Sequence, residues 1–224
     1  MARYITTEKL GMNDHGKTHA LVATSSALMI LELLYESGVM PDVVSSWNGD
    51  MDDAYVIVLI STLCHDLGNA VHRIDHISHS ILLIQPILDQ ILPMIYDDPN
   101  KCIMVRTFIL SAIYTHHGDP KPLTIEASVV SIGDASDMTK GRAQHASDQK
   151  TITMHALSAL SIDEVTIKRG ETKPVKIQVS MSKTAGMFQV QEILYPKIHA
   201  GVVSQHIEVQ ILLIENTILS LDFE

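Results

Sequence analysis

The sequence predicts a mainly α protein, in which a helical bundle is followed by a small α+β domain. Between about residues 13 and 140, apolar residues recur at the helical spacings of three and four. A polar stretch over 141–153 is the predicted domain boundary. Beyond about residue 160 the apolar period changes to two, which is typical of strands with one buried face. We therefore predict a helical domain over 1–150 and a small β-β-α-β domain over 151–224.

The first predicted helix follows an irregular lead-in over 1–12 and has Asn13 or Asp14 as its N-cap. It runs to about Glu36 and is apolar nearly all round, so we expect it to be central in the bundle. His15 and His19 are four residues apart, which places them on one helical face.

The second predicted helix opens at Asp52 or Asp53, after a loop over 41–50. It carries His65 and Asp66 at its last turn, where neighbouring side chains are about 100° apart and can enter one pocket from two sides. Gly68 is the expected C′ residue that ends this helix.

The third predicted helix carries His72, His76 and His79 at i, i+4 and i+7, beside an apolar face. His79 competes with His76 for the role of a buried ligand, and a solvated histidine stripe is the alternative interpretation. Pro86 and Pro93 are expected to kink or segment this helix.

Two further helices complete the predicted bundle, over about 101–114 and 123–140. The apolar face of the first extends to His116, and His117 lies about 100° round from it. The second turns Asp134 inward, where an acid is costly unless it is paired or binds a metal ion.

The tail is predicted as two strands, a helix over about 185–199 and a last strand that begins at about residue 207. Leu212 and Ile214 break the polar alternation of that last strand. A strand that is apolar on both faces needs cover on both sides. We expect that cover to come from the helical domain or from a second subunit, which predicts a homo-oligomer such as a dimer.

Composition narrows the classes of function. The chain has 224 residues, 46% of them hydrophobic, with 16 basic and 26 acidic residues and a formal charge of −10. This balance argues against a general nucleic-acid or anionic-membrane surface, although it allows a local basic pocket. Cys64 and Cys102 make no disulfide framework, so a cytoplasmic location is expected. No signal peptide is evident, and the longest apolar stretch, 20–35, is too short and too polar for a membrane span.

Metal-capable side chains occur on an apolar face or at an end of each of the five predicted helices: His19, His65 with Asp66, His76, His116 with His117, and Asp134. Imidazole and carboxylate suit divalent manganese, iron, zinc, nickel or cobalt. With thiolates nearly absent, the mixed set indicates a catalytic site rather than a closed structural zinc site. So many ligands exceed what one reactive ion takes from protein. We predict two ions bridged by Asp66, with Asp66 and His65 as the candidate catalytic residues.

The order His19, His65-Asp66 and Asp134 resembles the HD superfamily of metal-dependent phosphohydrolases, over residues 13–142. His76 with Ser80, and the pair His116-His117, resemble the additional ligands of its dinuclear branch. Cyclic-dinucleotide phosphodiesterases of that branch have an acid four residues before the first His, where this chain has His15, and their Gly-Tyr-Pro motif is missing. Cyclic dinucleotides are therefore not the expected substrate. The segment Gly-Asn-x-x-His-Arg-x-x-His over 68–76, together with the tail, is similar to an archaeal group of HD proteins.

The resemblance implies a hydrolase that acts on a small phosphorylated or nucleotide substrate with a metal-activated water. Arg73 and either Lys140 or Arg142 are the candidate ligands of a remote phosphate. The alternative is a non-catalytic regulatory protein that contains metal and binds a nucleotide, with the β tail as its oligomerisation or effector module.

Overall fold

The structure is a computed structural model that describes residues 1–142, 154–213 and 218–221. It is mainly helical with a small sheet near the C-terminus, which confirms the predicted order of a helical part and an α+β tail. Most of the predicted domain boundary lies outside the described residues, so the division into two domains stays a prediction. The α-helices are α1 (Lys17–Glu36), α2 (Asp42–Trp47), α3 (Met51–Cys64), α4 (His76–Ile95), α5 (Pro99–Thr115), α6 (Ile125–Ser136) and α7 (Met154–Ala159).

Helix α1 is the central helix of the bundle, as its all-round apolar pattern predicts, and it packs against α3 and α6. The crossing with α6 is close because Gly133 faces α1: a Cβ there would lie 2.6 Å from the Ala27 Cβ and 2.8 Å from the Ala23 carbonyl oxygen. This approach brings His19 on α1 beside Asp134 on α6. Among the described residues α1 is the one helix long and apolar enough to cross a membrane, and its inner face is packed as in a bundle core.

The start of α1 differs from the prediction. The helix begins at Lys17, and the Asp14 side chain accepts a hydrogen bond from the Gly16 amide at 2.9 Å instead of capping the helix. His15 therefore lies before the helix and not on its face with His19. The lead-in is also not irregular throughout, because Tyr4–Lys9 forms a π-helix.

The stretch predicted as a loop over 41–50 contains α2, which is fixed by a reciprocal cap with α6. The Asp42 carboxylate accepts a hydrogen bond from the Ile125 amide at 2.7 Å, and the Glu126 carboxylate accepts one from the Val43 amide at 2.8 Å. Each acid satisfies an amide that a helix N-terminus leaves without an intrahelical partner. These partners are 83 residues apart, so the pattern within the loop sequence did not reveal the helix.

Three other helix boundaries differ by a few residues from the prediction. Helix α3 begins behind Asp50 and α5 begins behind Asp98, and each of these acids caps its helix by accepting a backbone hydrogen bond. Helix α6 ends at Ser136, so Lys140 lies beyond it. The shift at α6 matters for the site, because it separates Lys140 from the inward face of that helix.

Gly68 does not end α3 as a left-handed C′ residue. It lies in a 3-10 helix, Leu67–Ala70, and is required there by close packing: a Cβ would lie 1.9 Å from the His76 carbonyl oxygen and 2.6 Å from the Ser80 amide. The Ser80 hydroxyl accepts a hydrogen bond from the Gly68 amide at 2.8 Å and donates one to the His65 carbonyl at 2.7 Å. The start of α4 is thus fastened to the His65-Asp66 turn.

Helix α4 begins later than the histidine spacing predicts. Asp75 has a left-handed φ of 58°, so the helix starts at His76 and His72 lies exposed in the preceding loop. The predicted segmentation is also not seen, since the helix runs to Ile95 through Pro86 and Pro93, both on its exposed face. Its inner face reads His76, Ser80, Ile84, Leu88 and Leu92.

The tail is a four-stranded sheet in the order β1 (Ile162–Arg169), β2 (Val175–Met181), β3 (Ile207–Leu213) and β4 (Ile218–Leu221). Strands β1 and β2 are antiparallel, β2 and β3 are parallel, and β3 and β4 are antiparallel; β4 was not predicted. A crossover of short helical pieces over 184–200, called here the C-terminal helix, joins β2 to β3 as the predicted β-α-β order requires.

The buried face of the sheet and the bundle belong to one continuous cluster of buried apolar side chains. The C-terminal helix packs against α6, which places part of the tail beside the helix that carries Asp134. On the other face of β3, Leu212 is half-buried, and Ile214 lies outside the described residues. Cover of that face by a second subunit stays a prediction.

Replacing Gly68 by Ala should destabilise the protein by about 3 kcal/mol or more, at the upper end of the range for overpacking. The added methyl would collide with backbone atoms of α4, which cannot yield as a flexible side chain can. Gly141→Ala is the matched control, because its Cβ would find its nearest neighbour at 3.8 Å. Urea unfolding of the two variants beside wild type measures the difference, and equal midpoints would contradict the packing argument.

Candidate metal centre

The first group of metal-capable side chains is His19, His65 and Asp134, which are buried between α1, the end of α3 and α6. The His19 Nε2 atom lies 3.1 Å from Asp134 Oδ1 and 3.3 Å from His65 Nε2. The His65 Nε2 atom lies 3.5 Å from the same carboxylate oxygen. Three potential donor atoms from three helices therefore converge on one point.

The second group is His76, His116 and His117, from the start of α4 and the end of α5. Their rings are close, with centroids 4.4 Å apart for His116 and His117 and 4.9 Å apart for His76 and His117. His76 and His116 are buried. The structure thus favours His76 over His79, which belongs to none of the metal-capable groups among the described residues.

Asp66 faces both groups. Its Oδ2 atom lies 3.5 Å from His65 Nε2 and 3.7 Å from His19 Nε2, while its Oδ1 atom lies 3.4 Å from His76 Nε2. Asp66 also forms a metal-capable group with His65 and His116, which links the first group to the second. All seven ligands predicted from the sequence therefore lie in one continuous cluster.

Four of the imidazoles are held in the same way, through Nδ1. His65, His76 and His116 each direct Nδ1 at the backbone carbonyl oxygen three residues earlier, at 2.7, 3.1 and 2.7 Å. His19 directs Nδ1 at the Asp137 carboxylate at 2.7 Å. An imidazole that donates from Nδ1 presents the Nε2 lone pair to a metal ion, and such second partners are a regular feature of metal-ligating histidines.

The residues present fit a divalent cation. The His116 Nε2 atom is buried and has no hydrogen-bond partner among the described residues, although buried polar atoms nearly always have one. Burial, and then the neighbouring His65, hold the pKa of His116 well below its usual range, so its ring is neutral and its lone pair is free. His117 is the exposed member of the second group, yet desolvation of its ring, and then Lys197, lower its pKa to about 4.

The two carboxylates of the cluster are ionised in spite of burial. Burial alone would raise the pKa of Asp134, but Lys197 and then His65 hold it well below the usual range. Burial would likewise raise the pKa of Asp66, but His65 and then His15 outweigh it and lower that pKa. Burial would lower the pKa of His65, yet Asp66 and Asp134 raise it, so a proton is attracted to the place where a cation would be bound.

A cavity of about 440 Å³ opens on the cluster, and three cationic side chains line it. Arg73 lies 3.8 Å from Asp66 Oδ1 and 3.2 Å from His76 Nε2. Arg142 donates to the Asp14 and Asp137 carbonyls and lies 3.3 Å from His19 Nε2. Lys197, from the C-terminal helix, forms a buried ion pair with Asp134 Oδ2.

The structure therefore places Arg73 and Arg142 at the cavity, as predicted, but not Lys140. Lys140 is exposed and pairs with Asp163 on β1 at 2.9 Å, because α6 ends before reaching it.

Sequence analysis gave no role to two residues of this site, Asp137 and Lys197, and left the role of His15 open. Asp137 follows Asp134 by three residues, and that spacing was a usable signal for a partner of His19. His15 lines the cavity, where burial and then Arg142 lower its pKa to about 3. Lys197 had no local signal, because only the packing of the tail brings it to Asp134, 63 residues away.

Comparison with known proteins gives a relationship that covers most of the chain. The chain is 40% identical over 209 residues to the uncharacterized protein MJ1020 of Methanocaldococcus jannaschii. The aligned residues make up 93% of this chain and 80% of that protein. The chain belongs to the family of that archaeal protein. The aligned length spans both the helical part and the sheet. No protein-family model and no solved structure matches the chain.

Replacing His65 by Gln should remove most of the metal that the protein takes up, because this imidazole belongs to two of the three metal-capable groups found in the described part of the chain. Elemental analysis after reconstitution with Mn²⁺ or Zn²⁺ and desalting measures the content. His72→Gln removes an exposed imidazole outside the groups and serves as the control. Circular dichroism of the metal-free variants checks folding. Wild-type metal content in folded His65→Gln would contradict the assignment of this site.

Proposed function

We propose that the protein is a metal-dependent phosphohydrolase of the HD type that uses two divalent transition-metal ions. The observation that carries the proposal is the set of imidazoles fixed through Nδ1, which direct Nε2 into two adjoining groups that share Asp66. Mixed imidazole and carboxylate ligands of this kind suit manganese, iron, zinc, nickel or cobalt. The order of His19, His65-Asp66 and Asp134 along the chain, now seen at one centre, supports the HD assignment.

In this proposal His19, His65 and Asp134 hold one ion, His76, His116 and His117 hold the other, and Asp66 lies between the two. When bound, such a pair of ions lowers the pKa of water and neutralises charge on a phosphoryl group. The reaction is hydrolysis of a phosphate ester: a water oxygen forms a bond to phosphorus, the bond to the ester oxygen breaks, and a proton passes to the departing oxygen.

The protein's own residues support this chemistry by orientation and charge. Asp137 and the three backbone carbonyls hold the imidazole rings in place, which preserves the donor positions through a catalytic cycle. Arg73 and Arg142 line the cavity where a phosphate would enter, and a guanidinium can bind phosphate oxygens in pairs. Six of the seven candidate ligands are buried and His117 is the exposed one, so charge interactions among the buried six are weakly screened.

The first test counts the ions. Wild-type protein reconstituted with a transition metal should carry up to two ions per chain. Asp66→Ala should lose most of both, because its two oxygens face the two groups. His117→Ala should lose one ion, because His117 belongs to the second group alone. Elemental analysis with native mass spectrometry gives the counts. A loss of a single ion in Asp66→Ala would argue against its bridging role.

The second test separates an enzyme from a nucleotide-binding regulator. Reconstituted protein is assayed against a panel of phosphate esters and nucleotides, with nucleotide binding measured on the same samples. His116→Ala should cut hydrolysis by about 100-fold or more, since charge stabilisation of the reacting group depends on the ions. His72→Ala should leave hydrolysis unchanged. Wild-type protein with two ions, tight nucleotide binding and no turnover would favour the regulatory alternative.

A further inference from the structure

Three cations from three separate parts of the chain meet at the cavity above the metal centre. Arg73 comes from the loop before α4, Arg142 follows α6, and Lys197 is part of the C-terminal helix. They face the carboxylates of Asp66, Asp137 and Asp134 respectively, which they match in number. The three pairs of side chains are therefore close to electrically balanced without any added ion. Each divalent ion that binds adds positive charge, which an anionic ligand must offset.

Lys197 is placed to contact that ligand. Its side chain is 11% exposed, and the exposed part faces the cavity. An ammonium group has three N–H donors, and the described structure gives one of them a partner, Asp134 Oδ2. The other oxygen of Asp134 lies 3.1 Å from His19 Nε2, so a single carboxylate joins Lys197 to the first group. Lys197, Asp134 and Asp66 line the same cavity, so a ligand that enters it meets both the ammonium and the first group.

The remaining walls suit a small organic group. Leu10, Met12, Ile193 and Pro196 supply apolar surface, and Gln189 and His155 lie among them. The volume of about 440 Å³ is at the lower end of the range for small-molecule sites. The one acid of the C-terminal helix at this cavity, Glu192, is exposed to water, which screens its charge.

We propose that the cavity takes a small phosphomonoester, with the dianionic phosphoryl group held by Arg73, Arg142 and Lys197. The C-terminal helix is then part of the substrate site, and Lys197 is its phosphate-binding residue. This inference rests on the proposed hydrolase function and narrows its substrate class. A monoester carries two negative charges and three unesterified oxygens, whereas a diester carries one charge and two such oxygens. Three converging N–H donor groups suit the three unesterified oxygens, and the excess charge of bound metal ions favours the second negative charge.

The experiment compares wild type with Lys197→Met and Lys197→Gln, after loading with Mn²⁺. Lys183→Met is the control, because Lys183 is exposed just before the same helix and lies outside the cavity. Hydrolysis is measured with p-nitrophenyl phosphate and bis(p-nitrophenyl) phosphate, and binding is measured by calorimetry with inorganic phosphate. Manganese content is determined for every sample. The Gln variant retains a donor for Asp134, so it reports on the phosphate contact even where the Met variant disturbs Asp134.

Wild type should hydrolyse the monoester with a kcat/KM at least tenfold above that for the diester. Both Lys197 variants should bind inorganic phosphate about 10- to 100-fold more weakly, the range for loss of a hydrogen bond to a charged group. Their monoester kcat/KM should fall in parallel, while manganese content and the Lys183→Met values stay at the wild-type level.

The outcomes separate the two proposals. The substrate assignment is overturned if monoester hydrolysis is unchanged in the Lys197 variants, or if wild type hydrolyses the diester faster than the monoester. Either result leaves the hydrolase proposal standing. Loss of manganese with unchanged phosphate affinity per loaded chain also overturns the substrate assignment, since Lys197 would then only position Asp134. Lys197-dependent phosphate binding without hydrolysis of any ester supports the phosphate site and overturns the hydrolase proposal.

Discussion

The candidate centre depends on hydrogen bonds from Nδ1 of its histidines. His65 and His116 are the C-cap residues of α3 and α5, and each directs Nδ1 at a carbonyl of the last helical turn. Such carbonyls lack an intrahelical partner, so the imidazole satisfies the helix end while the helix end fixes the imidazole. Both helices also point their negative ends at the centre, which favours a cation there. The same two hydrogen bonds therefore satisfy the ends of α3 and α5 and orient two candidate metal ligands.

A second constraint is the desolvation of so many polar side chains inside an apolar bundle. Asp66 and Asp134 are ionised and almost inaccessible to water, a state that costs several kcal/mol per group unless counter-charges compensate. Part of the compensation comes from Lys197, which belongs to the tail and not to the bundle. The bundle therefore does not balance its own charge. The apolar core shared by the sheet and the helices holds Lys197 in position beside α6.

The helical period, followed by the period of two in the tail, was enough to predict the fold class. The helical period and the helix ends also gave the seven side chains that the structure brings together, with His79 as an alternative to His76. The helical period succeeded because His19, His116 and Asp134 continue apolar faces, and a buried face is what periodicity detects. It failed where backbone geometry depends on distant partners. The left-handed conformation of Asp75 shortens α4 and leaves His72 in a loop. Gly68 is required by its close contact with the backbone of α4 and not by the end of its own helix. Lys197 was invisible to periodicity because its partner lies on another element.

The different positions of Lys140 and Arg142 show that a small error in the predicted end of α6 changes which cation is assigned to the site. Both residues follow Asp134 closely. The sequence predicted that α6 continues to Lys140, which would have kept Lys140 on the same helix as Asp134. Helix α6 instead ends at Ser136, and the chain turns so that Arg142 reaches back to the Asp137 and Asp14 carbonyls. The same turn lets Asp137 reach His19. One helix terminus therefore sets the tautomer of a candidate ligand and also decides which cation faces the cavity.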